Sequence, residues 1–312
     1  MLKKAKLILI AALVLSGCST IENESKKDRN TETNTETKSV PEEMEASKYV
    51  GQGFQPPAEK DAIEFAKKHK DKIAKRGEQF FMDNFGLKVK ATNVVGSGDG
   101  VEVYVHCDDH DIVFNASIPF DKSIIDSDSS LRSEDKGDDM STLVGTVLSG
   151  FEYRAHKEEL DNLTEVLKEY KSKYKYTGYT ENAIMKTQNS GFRNEYYYLT
   201  AIPYTLDEYK KYFQPLIKED GKSFRDGMRN SKKQLKDKSR PYVVTTLFST
   251  KDNFTKDNTI DEMIDFSEVL KKKKNIPHDL NVSLQISNKY INTTRPNYSK
   301  KDVIEVGVFN HE

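Results

Sequence analysis

Three rhythms of hydrophobic and polar residues run along this chain, and each defines a region. Leu7 to Leu15 is an unbroken apolar run of nine residues behind Lys3, Lys4 and Lys6. Ser19 to Ala46 has almost no large apolar side chain and carries a TETNTET near-repeat. From Tyr49 onward hydrophobic positions recur periodically, at helical spacing in some segments and in strict alternation in others.

The periodic part predicts specific elements. After Pro56-Pro57, the residues Ile63, Ala66, Ile73, Phe80, Phe81 and Phe85 fall on one face of a helix, and Gly86 is placed to cap its end. Three strands follow: Lys88–Val95, leading into the turn GSGDG; Val101–His106, with Val101, Val103 and Val105 alternating; and Asp111–Ile118, with Ile112, Phe114, Ala116 and Ile118 on one face. Helical spacing returns at Ser141–Gly150 and at Tyr153–Lys175, where Leu160, Leu163, Leu167, Tyr170 and Tyr174 keep 3-4-3-4 intervals. Further helices are expected at Leu206–Ile217, Lys222–Lys236 and Ile260–Lys272, and further strands at Tyr242–Ser249, Leu280–Ser287 and Val303–Phe309. The expected fold class is α+β: antiparallel sheet or sheets with packed helices. The second half echoes the helix-then-meander order of the first. This leaves two arrangements, one compact unit or two similar subdomains divided near the acidic, Ser-rich stretch 121–140.

The first two regions carry an address and an anchor. A positive head, an apolar run and small residues form the three-part layout of a secretory signal peptide, here residues 1–17. The run is too short to span a bilayer, which takes about 20 residues. It ends Leu15-Ser16-Gly17-Cys18, which resembles the lipobox of bacterial lipoproteins. The resemblance implies a diacylglyceryl group on Cys18 and cleavage before it, since two acyl chains give stable attachment where one does not. Residues 18–48 then form a lipidated N-terminus and a tether, because such a composition cannot bury enough surface to fold. About 30 flexible residues reach roughly 30 Å. The globular region is expected at 49–312, on the outer face of the cell membrane.

Charge and cysteine content narrow the classes. Without the leader's three lysines the chain has 46 basic and 50 acidic side chains, a net of −4, so no global basic excess points to nucleic acid. Cys107 is the second of two cysteines. With Cys18 lipidated, a disulfide scaffold is excluded and stability must come from a conventional core. The lipobox, the Thr/Glu/Asn tether and the entry EASKYVGQGFQPPAEKDAIEFAKKHK together resemble a family of staphylococcal-type lipoproteins that carry a domain of unknown function. That resemblance spans the chain and brings no activity or catalytic residues with it.

Candidate chemistry is sparse. HCDDHD, His106 to Asp111, gathers two imidazoles, a thiol and carboxylates, so His106 and His110 are weak metal candidates. Alternation on a strand sends neighbouring ligands to opposite faces, however, and the spacing matches no standard zinc pattern. The competing reading is a polar hairpin tip. Cys107 as a nucleophile would need help from a neighbouring histidine against two adjacent acids. The acidic loop fails as an EF-hand: from Asp126 as position 1, Leu131 stands where Gly is required and Gly137 where Glu is required. Ser172-Lys173-Tyr174-Lys175 fits S-x-x-K without its partner motifs, and no zincin, nucleophile-elbow or P-loop pattern occurs. No catalytic residue or cofactor is assigned.

Two broader features remain. Ten of the 16 tyrosines lie between Tyr170 and Tyr212. They serve either as an aromatic binding surface or as half-buried core. Glu208 to Arg240 holds 11 basic residues against five acidic ones, and Lys271–Lys274 adds four more. Lys232, Lys233, Lys236 and Lys238 are the candidate contacts to a polyanion, against the alternative of solvated helix faces. The expected function is a membrane-anchored, non-catalytic binding protein of the envelope. Its partners would be the bilayer through Cys18, and anionic wall polymers or another envelope protein. The alternative is a solute-binding lipoprotein or an enzyme of another type.

Overall fold

The computed structural model describes residues 40–125, 137–296 and 303–311; the leader, Cys18 and the acidic loop with Asp126 and Leu131 lie outside them. The residues from Val40 onward form one unit. It begins earlier than the tether boundary expected at residue 48. Glu43–Glu45 is a strand, β1, and Ala46–Lys48 a 3₁₀ turn with Ala46 fully buried. Tyr49 is buried beside it, and its hydroxyl donates to the Thr293 carbonyl at 2.8 Å. Two large or apolar side chains at the end of a polar run were enough to pin it.

The expected first helix is two. α1 (Lys60–Lys68) and α2 (Lys70–Phe85) are separated by His69, whose backbone leaves the helical region. The break falls where the apolar stripe lapses between Ala66 and Ile73, so each helix seats its own face. Gly86 takes the left-handed conformation, and its N–H returns to the Met82 carbonyl, as a C-terminal cap requires.

A meander follows: β2 (Val89–Ser97), β3 (Gly100–Cys107) and β4 (Phe114–Phe120), each antiparallel to the next. α3 (Gly137–Ala155) and α4 (Lys157–Tyr174) come next, broken at His156. Short pieces then stitch the halves together: β5 (Tyr176–Thr177), α5 (Glu181–Thr187) and β6 (Ser190–Gly191), which adds to β4. β7 (Tyr197–Thr200) leads into the second sheet.

The expected helix at Leu206–Ile217 is irregular. A single turn, α6 (Leu206–Glu208), opens with a Thr205–Glu208 capping box, then widens into a π turn over Tyr209–Phe213 and tightens into a 3₁₀ turn over Gln214–Lys218. α7 spans Gly221–Gln234.

The second half departs from the expected echo. The strand expected at Tyr242–Ser249 is split at Thr246 into β8 (Tyr242–Thr245) and β9 (Leu247–Ser249). α8 (Lys256–Lys271) follows, then β10 (Asn281–Ser287), β11 (Tyr290–Asn292) and β12 (Ile304–Phe309). β10 runs parallel to both β8 and β9, while β12, β7 and β5 pair antiparallel. The second sheet is therefore mixed. The physical reason is α8: neighbouring parallel strands need a long crossover, and a helix between β9 and β10 supplies it. β1 and β11 form a separate two-stranded ribbon.

Two large cores result. One lies between α1, α2, α3 and the first sheet, with Phe81, Phe85, Phe114 and Phe151 fully buried. The other joins α4 and α8 to the second sheet through Leu163, Leu167, Phe266 and Leu284. A smaller cluster under the ribbon holds Tyr49, Tyr179 and Phe248.

Candidate functional site

HCDDHD does not converge. His106 points to one side of β3, with Nδ1 3.0 Å from Asn115 Oδ1, while Cys107 is buried on the other. His110 is exposed and contacts Asp109 at 2.9 Å. It and Asp111 have positive φ, so the hairpin tip is sharply turned. Among the described residues no group of three or more His, Cys, Asp or Glu side chains is placed to hold a metal ion. Burial pushes the Cys107 thiol up to about 12, outweighing a hydrogen bond from the Asp109 backbone, and so opposes thiolate formation. Ser172 is an exposed residue of the last turn of α4.

Most of the tyrosine cluster is core. Tyr174, Tyr176, Tyr179, Tyr196, Tyr197 and Tyr209 are each no more than 4% exposed. Four of the hydroxyls donate inward to backbone carbonyls: Tyr197 to Leu160 and Tyr209 to Phe85, both at 2.8 Å, Tyr179 to Pro296 and Tyr176 to Leu167. Burial raises every one of these phenols whose shift is resolved, Tyr179 to about 12. An aromatic binding surface is not what the sequence pattern encoded here.

The basic stretch gives a built surface, with one correction. α7 buries Phe224, Met228 and Ser231 on one face. Ser231 donates to the Tyr212 carbonyl at 2.7 Å, and the Arg154 guanidinium lies 4.1 Å over the Phe224 ring. The opposite face carries Arg225, Arg229 and Lys233, exposed and four residues apart, with Arg229 paired to Asp226 at 3.0 Å. Successive positions at that spacing rise about 6 Å along a helix and share one face. Lys222, Lys236, Lys238 and Arg240 extend the exposed positive region at its ends.

Lys232 does not belong to it. Its Nζ pairs with the carboxylate of Glu152 on α3, a side chain only 5% exposed. Beside it Tyr204 donates to Asp237 at 2.5 Å. Burial opposes ionisation of Asp237, yet hydrogen bonds from Ser239 and Tyr204 hold its carboxyl below the ordinary range. The first tie holds α7 against α3, and the second holds the turn that follows α7. Sequence reading missed Glu152, although a charge inside the apolar run Gly150–Tyr153 is a signal of it.

Lys271–Lys274 is not an extension of this face. Phe224 and Met228 belong to the first core, whereas Met263, Phe266 and Leu270 of α8 belong to the second. Lys271 and Lys273 are also paired, with Glu268 at 2.7 Å and Glu169 at 3.2 Å.

The fold and this surface define a class: an α+β unit with two cores and one basic helix face. The chain belongs to the DUF1672 family, a protein family of unknown function, whose profile matches residues 36–312. It is similar to a crystallised DUF1672 family protein from Staphylococcus aureus subsp. aureus Mu50, with 97% identity and a TM-score of 0.86, over 88% of this chain and all of that one. No curated protein gives a match.

Proposed function

We propose that this chain is a lipid-anchored protein of the extracytoplasmic membrane face whose globular unit binds phosphate-rich polyanions of the envelope. The observation that carries the anchoring is the run from Lys3 to Gly17 ending on Cys18, followed by residues without core-forming composition. The observation that supports the binding role is the exposed pair Arg225 and Lys233 on one helix face, with Lys222, Lys236 and Lys238 beside it. Single exposed charges contribute little, but several act together, and a tether keeps them at high local concentration near the surface.

Cys18→Ala tests the anchor: the protein should leave the membrane fraction, as precursor or as released chain. A mature N-terminal peptide with an unmodified cysteine would refute it. Reversal of Arg225, Lys233, Lys236 and Lys238 to glutamate tests the surface. Binding of the globular unit to purified wall material should fall in the variant and with added salt, as screening sets in over about 8 Å at physiological strength. Parallel sedimentation with anionic phospholipid vesicles distinguishes a lipid headgroup from a wall polymer as the phosphate source. No binding to either at low salt would sink the reading.

A further inference from the structure

We infer that the cleft between α3 and the adjoining edges of the two sheets is a binding site for a neutral, polyhydroxylated ligand, a short saccharide. The cleft has a volume of about 410 Å³, within the range of roughly 300–1,000 Å³ usual for small-molecule sites. It sits where the two sheets meet, with α3 packed against β4, β6 and β7. Small residues on α3 bring its walls together. The Cα of Pro203 lies 3.3 Å from where a side chain on Gly145 would begin.

The lining carries no charged side chain and sets polar groups among apolar surface. Hydroxyls come from Ser117, Thr142, Thr146, Ser149, Ser190 and Thr200, and an amide from Asn189; Leu143, Ala201 and Pro203 add apolar surface. Part of this set is committed to holding the wall rigid. Ser149 donates to the Thr146 carbonyl at 2.6 Å and accepts the Phe192 N–H at 2.7 Å, and Thr146 donates to the Thr142 carbonyl at 3.1 Å.

Asn189 is held from one side. Ser117 gives its proton to Glu102 at 2.5 Å, so it accepts from Asn189 Nδ2 at 2.7 Å. That fixes the amide, leaving its Oδ1 and second N–H for a ligand. Asn189 and Ser190 are exposed, and Thr200 is half-buried.

These groups select by chemistry. An anionic ligand entering the cleft would lose water and meet no counter-ion, a cost that neutral partners avoid. An anion would also face the Glu102 carboxylate behind Ser117. Hydroxyls and an amide that both donate and accept match a ligand whose own hydroxyls do the same. An extended peptide adding to the sheet is disfavoured, because Pro119 removes a backbone donor from β4 beyond its pairing with β6.

This inference rests on neither the anchor nor the basic face of α7. The crystallised relative aligns along its whole length to 88% of this chain, so a chain of that extent folds alone. On it, an NMR titration with triacetylchitotriose should give saturable shifts at Asn189, Ser190 and Thr200. Trigalacturonate, an anionic counterpart, should give far weaker shifts. Asn189→Ala with Ser190→Ala, both at exposed positions, should weaken binding about tenfold, in line with two lost hydrogen bonds. The inference is overturned by no shifts at about 10 mM neutral saccharide, where even millimolar affinity saturates. It is equally overturned by equal binding of the anionic probe, or by a double variant that binds unchanged.

Discussion

The Glu152–Lys232 pair decides whether a lysine of the basic stretch is structural or functional, and it can be measured. Glu152 is 5% exposed and Lys232 is 22% exposed at the side chain. Removing one partner of a fully buried pair costs about 3–5 kcal/mol, because the other charge is left without compensation. Lys232 retains some solvent contact, so Lys232→Met should cost about 2–3 kcal/mol. For a chain of this size that lowers the melting temperature by roughly 4–12 °C. Glu152→Gln alone should also destabilise.

The double variant removes both charges and should recover all but about 1 kcal/mol, giving a coupling energy well above zero. Lys233→Glu, one residue away but exposed, should shift stability by no more than about 0.5 kcal/mol. Urea unfolding of the four proteins reads the cycle. If Lys232→Met costs under about 0.5 kcal/mol while weakening binding to wall material, Lys232 serves a ligand and the structural assignment is wrong. If the double variant costs the sum of the singles, the pair is not coupled.

Three further outcomes are expected. The raised phenols of Tyr176, Tyr179 and Tyr197 favour the neutral, folded form. Their stabilisation is complete below the ordinary tyrosine value of 10 and is lost as pH rises toward and past 12. Each then contributes a slope of about 1.4 kcal/mol per pH unit, seen as cooperative unfolding with tyrosinate absorbance; gradual ionisation of these tyrosines in a still-folded chain would contradict it. A chain starting at Val40 should melt like the mature protein, whereas one starting at Gly51 should lose roughly 3–5 kcal/mol with the buried ring of Tyr49 alone, measured by calorimetry. Cys107, fully buried with its thiol 3.4 Å from the Lys88 carbonyl, should react with a thiol reagent only when the protein unfolds, so rapid labelling in native buffer would refute its inert role.

Local patterns in the sequence determined what local physics governs. Alternation fixed the strands β3 and β4, since one face of each had to be buried. Helical spacing fixed α4 and α8. Gly86 was legible as a cap because a left-handed residue must close that helix. Ser19–Ala46 was legible as a polar segment, although its end folds as β1 and buries Ala46, and Leu15–Cys18 as an expected anchor.

The tertiary structure decided whatever depended on distant segments. β10 lies parallel to β8 and β9, although its alternation reads the same in either direction; only the placement of α8 between them selects the arrangement. Tyr49 became core because Thr293, 244 residues away, accepts its hydroxyl. Lys232 left the basic face because Glu152 on another helix reaches it. The hydroxyl cleft was invisible in sequence for the same reason. Its Ser, Thr and Asn side chains come from separate segments, each unremarkable alone, and acquire meaning only when α3 brings them to one wall.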